Sequence, residues 1–166
     1  AAEASALLGG SVASVNSALQ RARATLADRY PERQAAASAE PASVERELLA
    51  RYLHTWETLD VDGFAALLKE DATYTMPPVP YWYAGRPSIR TFFEWAWKKY
   101  EGFRLVPTAA NGQPAFAAYS RARVGDRWSA HSLQVLSHEA GAITTLTLFL
   151  KPDGLRLFDA FGLPLT

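Results

Sequence analysis

From residue 43 onward, hydrophobic positions recur at three- and four-residue intervals: Val44, Leu48, Leu49, Tyr52, Leu53, Trp56 and Leu59. Ser43 precedes them as a capping residue, with Glu45 and Glu47 in the first turn, so the pattern predicts an amphipathic helix. Asp60 suits the cap of a shorter helix carrying Phe64, Leu67 and Leu68. A strand then runs from Asp71 to Met76 and stops at Pro77 and Pro78. Pro87, just after Gly85, opens a third helix over 86–100 with the stripe Ile89, Phe92, Phe93, Ala96 and Tyr100. Four strands follow, at 103–108, 114–123, 128–137 and 142–150, broken at Asn111-Gly112, Gly125-Asp126 and Glu139-Ala140-Gly141. Helices first and strands afterwards predict an α+β domain, with three helices on one face of a curved antiparallel sheet.

Ahead of this domain the pattern thins. Residues 1–27 are rich in small side chains with a weak helical period, and 28–42 hold two prolines, much alanine and little to bury, which predicts a linker. The expected division is therefore 1–27, 28–42 and 43–166. The chain opens at Ala1-Ala2-Glu3 in mid-pattern, which reads as a piece cut from something longer.

Composition narrows the classes. Of 166 residues, 49% are hydrophobic and 12% aromatic, enough to build a core. Lys plus Arg and Asp plus Glu are balanced at 17 each, so any nucleic-acid contact must be local. The absence of cysteine excludes disulfides and thiolate chemistry. No apolar run approaches the roughly 18 residues of a membrane span; the cytoplasm is expected, without membrane contact, cofactor or metal.

Several segments carry a resemblance. They are Trp56-Glu57-Thr58-Leu59-Asp60-Val61-Asp62 before Phe64-Ala65-Ala66-Leu67-Leu68, then Glu70-Asp71-Ala72-Thr73-Tyr74, then Gly85-Arg86-Pro87-Ser88-Ile89. Together they resemble the SnoaL-like branch of the nuclear-transport-factor-2-like (NTF2-like) fold. The resemblance implies a cone of curved sheet closed by helices, in a family that holds isomerases, cyclases, ligand binders and scaffolds. Fold does not choose among them. An enzyme of this kind needs an acid or base in the cone, and His131 is the candidate, because strand alternation puts it on one face with Leu133 and Val135. The competing role is a hydrogen-bonded core histidine. His54 and His138 are too scattered to join it in a metal site. Asp60, Asp62 and Asp71 lie at element boundaries, where carboxylates cap helices. Trp56, Tyr74, Met76, Trp82 and Tyr83 are expected to line the pocket, with Trp95, Asn111, Gln113 and Gln134. The run from Pro77 to Tyr83 is expected to be a rigid aromatic loop at the mouth, serving as a lid or an interdomain contact.

The first 26 residues, with Ser14-Val15-Asn16-Ser17-Ala18-Leu19-Gln20-Arg21-Ala22-Arg23 at their centre, resemble the end of a sigma-factor region 4 helix-turn-helix. Followed by a linker and a SnoaL-like domain, they resemble the SigG-like group of extracytoplasmic-function (ECF) sigma factors of bacteria. That resemblance implies a supporting helix up to Leu8, a turn at Gly9-Gly10 and a recognition helix from Val12 to about Leu26. Val15, Leu19, Ala22 and Leu26 would face inward; Ser14, Asn16, Ser17, Gln20, Arg21 and Arg23 would face DNA. The alternative is an alanine-rich helix that only packs on a neighbour. Implied partners are core RNA polymerase and promoter DNA in the full-length protein, and the sigma regions of the same chain. A small-molecule ligand and a second copy of the chain complete the expectations. Region 2 and the first half of region 4 are missing, so this piece is not expected to start transcription.

Overall fold

The computed structural model describes residues 2–29 and 43–166. The chain divides into two compact units, Ala1–Ala39 and Glu40–Thr166. The predicted linker lies outside the described residues, except for Asp28 and Arg29, which extend a helix.

In the first unit, α1 (Ala2–Leu8) and α2 (Val12–Arg29) are joined by a tight turn. Gly9 adopts φ +64°, and the Gly10 N–H donates to the Ser5 carbonyl at 3.1 Å, the closure expected of a helix ending in a left-handed glycine. Ser11 caps α2, its hydroxyl accepting from the Ser14 N–H at 3.1 Å. Leu7, Leu8, Val12 and Leu19 remain exposed, so these two helices bury little between themselves.

The second unit runs α3 (Ser43–Glu57), α4 (Val61–Ala66), β1 (Leu68–Met76), β2 (Val79–Ala84), α5 (Arg86–Ala96), a 3-10 turn (Trp97–Lys99), β3 (Gly102–Ala110), β4 (Gln113–Arg121), β5 (Ser129–Glu139), β6 (Ala142–Leu150) and α6 (Asp153–Ala160). Six strands form one sheet in the order β2-β1-β6-β5-β4-β3. The sheet is mixed rather than purely antiparallel, because β6 returns beside β1 and pairs with it in parallel, Tyr74 opposite Leu146. Helices α3, α4 and α5 cover the inner face around Tyr52, Trp56, Phe64 and Phe93. The β3–β4 and β5–β6 hairpins turn at Asn111-Gly112 and Ala140-Gly141, all four residues with positive φ, as two-residue hairpins require.

Three expectations are corrected here. Residues Val79–Ala84 form a strand rather than a loop: Tyr74 pairs with Tyr83 and Thr75 with Trp82. β2 is an edge, where Pro80 sacrifices no ladder hydrogen bond on its outer side. Asp71 lies inside β1, which begins at Leu68, and caps no helix. A fourth helix of the domain, α6, covers the outer face with Phe158 against Ala117, Tyr119 and Ala130. Pro152 ends β6 and Gly154 lets the new helix approach so closely that a Cβ there would collide with the Phe149 carbonyl.

A long-range polar link crosses the core. The Tyr52 hydroxyl donates to Gln134 Oε1 at 2.7 Å, both residues fully buried, tying α3 to β5. Burial also pushes the Tyr52 hydroxyl's pKa well above its ordinary value, so it stays a donor. Tyr52→Phe leaves a buried amide oxygen without its donor and should lower unfolding free energy by about 1–3 kcal/mol in urea titration. Gly154→Ala should lower the melting temperature by displacing α6 while leaving the inner face intact, seen as unchanged near-ultraviolet dichroism of the Trp56 cluster.

Candidate active site and comparison with known proteins

A cavity of about 130 Å³ lies between α5 and the inner face of the sheet. Its walls draw on every layer: Trp56 from α3, Tyr74 and Met76 from β1, Phe92, Phe93, Trp95 and Ala96 from α5, and Leu148 and Leu150 from β6. The 3-10 turn and the start of β3 add Trp97, Lys99, Tyr100 and Phe103, and β5 adds His131. Two other hollows flank the C-terminal segment. One is bounded by Pro77, Pro78, Phe149, Gly154 and Leu157; the other holds Arg104, Tyr119, Trp128 and Pro164.

His131 reaches the cavity by a different route from simple alternation. On β4, Ala118 pairs with Ser132 and the next residue, Tyr119, pairs with Ala130, so His131 is the extra residue of a β-bulge. Leu133 pairs with Ala117 on the outer face. The bulge turns His131 to the inner side, away from Leu133, correcting the face assigned from the sequence. Its imidazole lies edge-on to Tyr100 and Phe103, each ring centroid 5.2 Å away. Nε2 is 3.2 Å from the Tyr100 hydroxyl and Nδ1 is 3.0 Å from the Ser132 hydroxyl. Burial, with help from the positive charge of Lys151, lowers its pKa to about 4. The ring is therefore neutral near pH 7 and can donate through one nitrogen while accepting through the other.

Around it the site is hydroxylic and cationic rather than acidic. Burial raises the pKa of Tyr74 well above, and that of Tyr100 above, the ordinary phenol value, keeping both as neutral hydroxyls. Lys99 holds its ammonium 3.4 Å from the centroid of the Trp95 ring at the exposed rim. Among the described residues, none offers the buried Trp97 indole N–H a hydrogen-bond acceptor, and no carboxylate lines the cavity.

The expected pocket residues divide. Trp56, Tyr74, Met76, Trp95 and His131 line the cavity; Trp82, Tyr83, Asn111, Gln113 and Gln134 do not. Trp82 lies on the outer side of the edge strand and is 68% exposed. Tyr83 stacks on Tyr74 and meets Phe92 at a tilt behind the wall. Asn111 forms the β3–β4 turn, and Gln113 donates to the Ser137 hydroxyl at 2.7 Å. Gln134 is used by Tyr52. Phe92, Phe93, Trp97, Lys99, Tyr100 and Phe103 line the cavity as well, outside the expected set. Their signal is the run Trp95-Ala96-Trp97-Lys98-Lys99-Tyr100, where aromatic and basic residues crowd a helix end. Of the suspected carboxylates, Asp60 caps α4 by accepting from the Gly63 N–H at 2.8 Å, and Asp62 pairs with Arg90 at 2.8 Å. His138 approaches Glu45 at 3.6 Å, away from His131.

On α2 the residues singled out for DNA, Ser14, Asn16, Ser17, Gln20, Arg21 and Arg23, are all exposed. The Ser14 hydroxyl is already engaged, donating to the Ser11 carbonyl at 2.8 Å. Leu19 and Ala22, assigned to the inward face, are exposed as well.

Comparison with known proteins bears on both units. Across 98% of its length the chain is 37% identical to the ECF RNA polymerase sigma factor SigG of two Mycobacterium tuberculosis strains, CDC 1551 and H37Rv, covering 43% of each. The chain thus spans less than half the length of these relatives. A steroid delta-isomerase from Pseudomonas aeruginosa shares the fold at TM-score 0.56 and 22% identity, over 75% of this chain and 93% of that one. An NTF2-like protein from Anabaena variabilis does so at TM-score 0.54 and 14% identity, over 70% and 97%. These two structures fix the cone-shaped α+β fold and nothing finer. With residues 49–146 matching the SnoaL-like domain family, the helices, the sheet and the cavity between them have one explanation: the chain belongs to that family.

Proposed function

We propose that this chain is the C-terminal portion of a bacterial sigma factor, in which a SnoaL-like pocket domain modulates the activity of the sigma regions in response to a small ligand. The observation that carries this reading is that similarity to the SigG proteins runs through both units instead of ending at the SnoaL-like domain. In this reading α1 and α2 complete a promoter-reading helix pair, and Arg21 and Arg23 hold phosphates while Asn16, Ser17 and Gln20 approach base edges. The exposed Leu7, Leu8, Val12 and Leu19 give that pair an apolar surface for the remaining sigma helices. Core polymerase, promoter DNA and the cytoplasm follow as partners and place. A ligand regulates only if it binds more tightly to one arrangement of the domains than to another.

A second reading draws on the His131–Tyr100 pair. A neutral imidazole 3.2 Å from a hydroxyl inside an apolar cavity can relay a proton, as a SnoaL-like isomerase or cyclase would need. Cavity size weighs against a polycyclic substrate: 130 Å³ is well below the roughly 300–1,000 Å³ of ordinary ligand sites.

Two arginines predict weak, salt-sensitive DNA binding by this chain alone. Binding to a −35 promoter duplex should fall with a log–log salt slope of about −2, and Arg21→Ala should reduce the slope by about 1. Tight, salt-resistant and sequence-selective binding by the chain would overturn the view that other sigma regions are needed. For the enzymatic reading, His131→Gln should abolish turnover of a small carbonyl substrate; equal rates in parent and variant would remove His131 from any mechanism.

The proton-relay reading uses a neutral His131, which has a thermodynamic signature. An unfolded imidazole takes up its proton near pH 6.5 and the folded one only near pH 4. Between these values protonation favours the unfolded chain, so His131's contribution to stability is lost as pH falls from about 6.5 to about 4. Melting curves of parent and His131→Gln should shift in the variant's favour over that interval, and parallel curves would show that the imidazole is not held neutral.

A further inference from the structure

We propose that the cavity takes a small monocyclic aromatic carboxylate, with its ring among Trp56, Phe93, Trp97 and Phe103 and its carboxylate at the rim beside Lys99. The proposal rests on the reading of this cavity as a ligand site and goes further by naming the ligand's class.

Size comes first. An apolar cavity of about 150 Å³ takes a benzene ring, and this one measures about 130 Å³, the size of one ring. Shape follows from the walls. Trp56 meets Phe93, Trp97 and Phe103 edge-to-face, with centroids 5.0–5.5 Å apart, and a flat guest extends this herringbone better than a branched aliphatic one.

Charge then selects the polar end. Among the described residues, Lys99 is the one charged side chain of the lining, no acid lines the cavity beside it, and its ammonium lies over the Trp95 ring. Lys151 adds positive potential close enough to be felt at His131. An organic cation such as a methylated amine would suit the aromatic walls but would meet this like charge. A carboxylate at the exposed rim meets Lys99 without full desolvation, so the cost of burying an anion is avoided. The Tyr100 hydroxyl and His131 stand deeper and accommodate a ring hydroxyl or a second water-sized group, which selects among substituted acids.

The experiment is calorimetric titration of the chain with three one-ring probes: benzoate, its neutral analogue benzamide, and phenyltrimethylammonium. Benzoate should bind at least roughly fivefold more tightly than the other two, the ratio that about 1 kcal/mol of rim ion pairing supplies. Lys99→Met should bring benzoate down to the affinity of benzamide without changing benzamide itself. Ala96→Leu, which fills the cavity from α5, should abolish benzoate binding while circular dichroism shows the fold retained. Equal binding of benzoate and benzamide, with both lost in Ala96→Leu, would overturn the acidic class and leave the cavity as a ligand site. Benzoate binding that survives Ala96→Leu would place it on the surface, and no binding of benzoate would likewise sink the proposal. Benzoate binding that leaves promoter-dependent transcription by the full-length sigma factor unchanged would overturn ligand regulation and keep the ligand class.

Discussion

The packing of Trp56 against five neighbouring rings is the interaction on which the domain depends. Its centroid lies 5.0–6.3 Å from those of Tyr52, Phe64, Phe93, Trp97 and Phe103, which come from α3, α4, α5, the 3-10 turn and β3. One side chain therefore holds every helical piece of the inner layer to the sheet. Rings are rigid and meet at preferred angles, so such a cluster cannot collapse completely. The cavity is the space left where the herringbone runs out, bounded by the less bulky Ala96, Met76, Leu148 and Leu150. Core and site are thus parts of one aromatic assembly.

Much of this architecture was legible from residue patterns. The α3 stripe through Leu48, Tyr52 and Trp56, the Asp60 cap of α4 and the Asn111-Gly112 turn from β3 into β4 each depend on local chemistry within a few residues. β2 was not legible: prolines at 77, 78 and 80 mask a strand that exists because Tyr83 gains a stacking partner in Tyr74 across the hairpin. α6 was hidden for a similar reason, since its single decisive anchor, Phe158, acquires meaning only against the outer face of the sheet.

The site shows the same boundary between local and long-range information. Strand alternation grouped His131 with Leu133; the bulge, created by the register of β4 against β5, separates the two and brings His131 to the cavity. Gln134 and Gln113 looked like polar handles for a ligand, yet hydroxyls of Tyr52 and Ser137 occupy them. Polar side chains on strands carry no mark in the sequence that separates those bound internally from those left for a guest. Lys99 lies at the junction of a helix and a 3-10 turn, and its position over the Trp95 ring depends on where the helix stops.

Among the described residues, the end strands of the sheet are β2 and β3, and each carries a proline within the strand, Pro80 and Pro107. A sheet edge is a template for another chain's strand, and a missing N–H with a fixed backbone angle makes that template defective. For a domain with exposed Tyr81 and Trp82 along one such edge, the prolines act as guards against fibrous growth. They let the edge keep its aromatic side chains at the surface without turning the protein into a seed for its own aggregation.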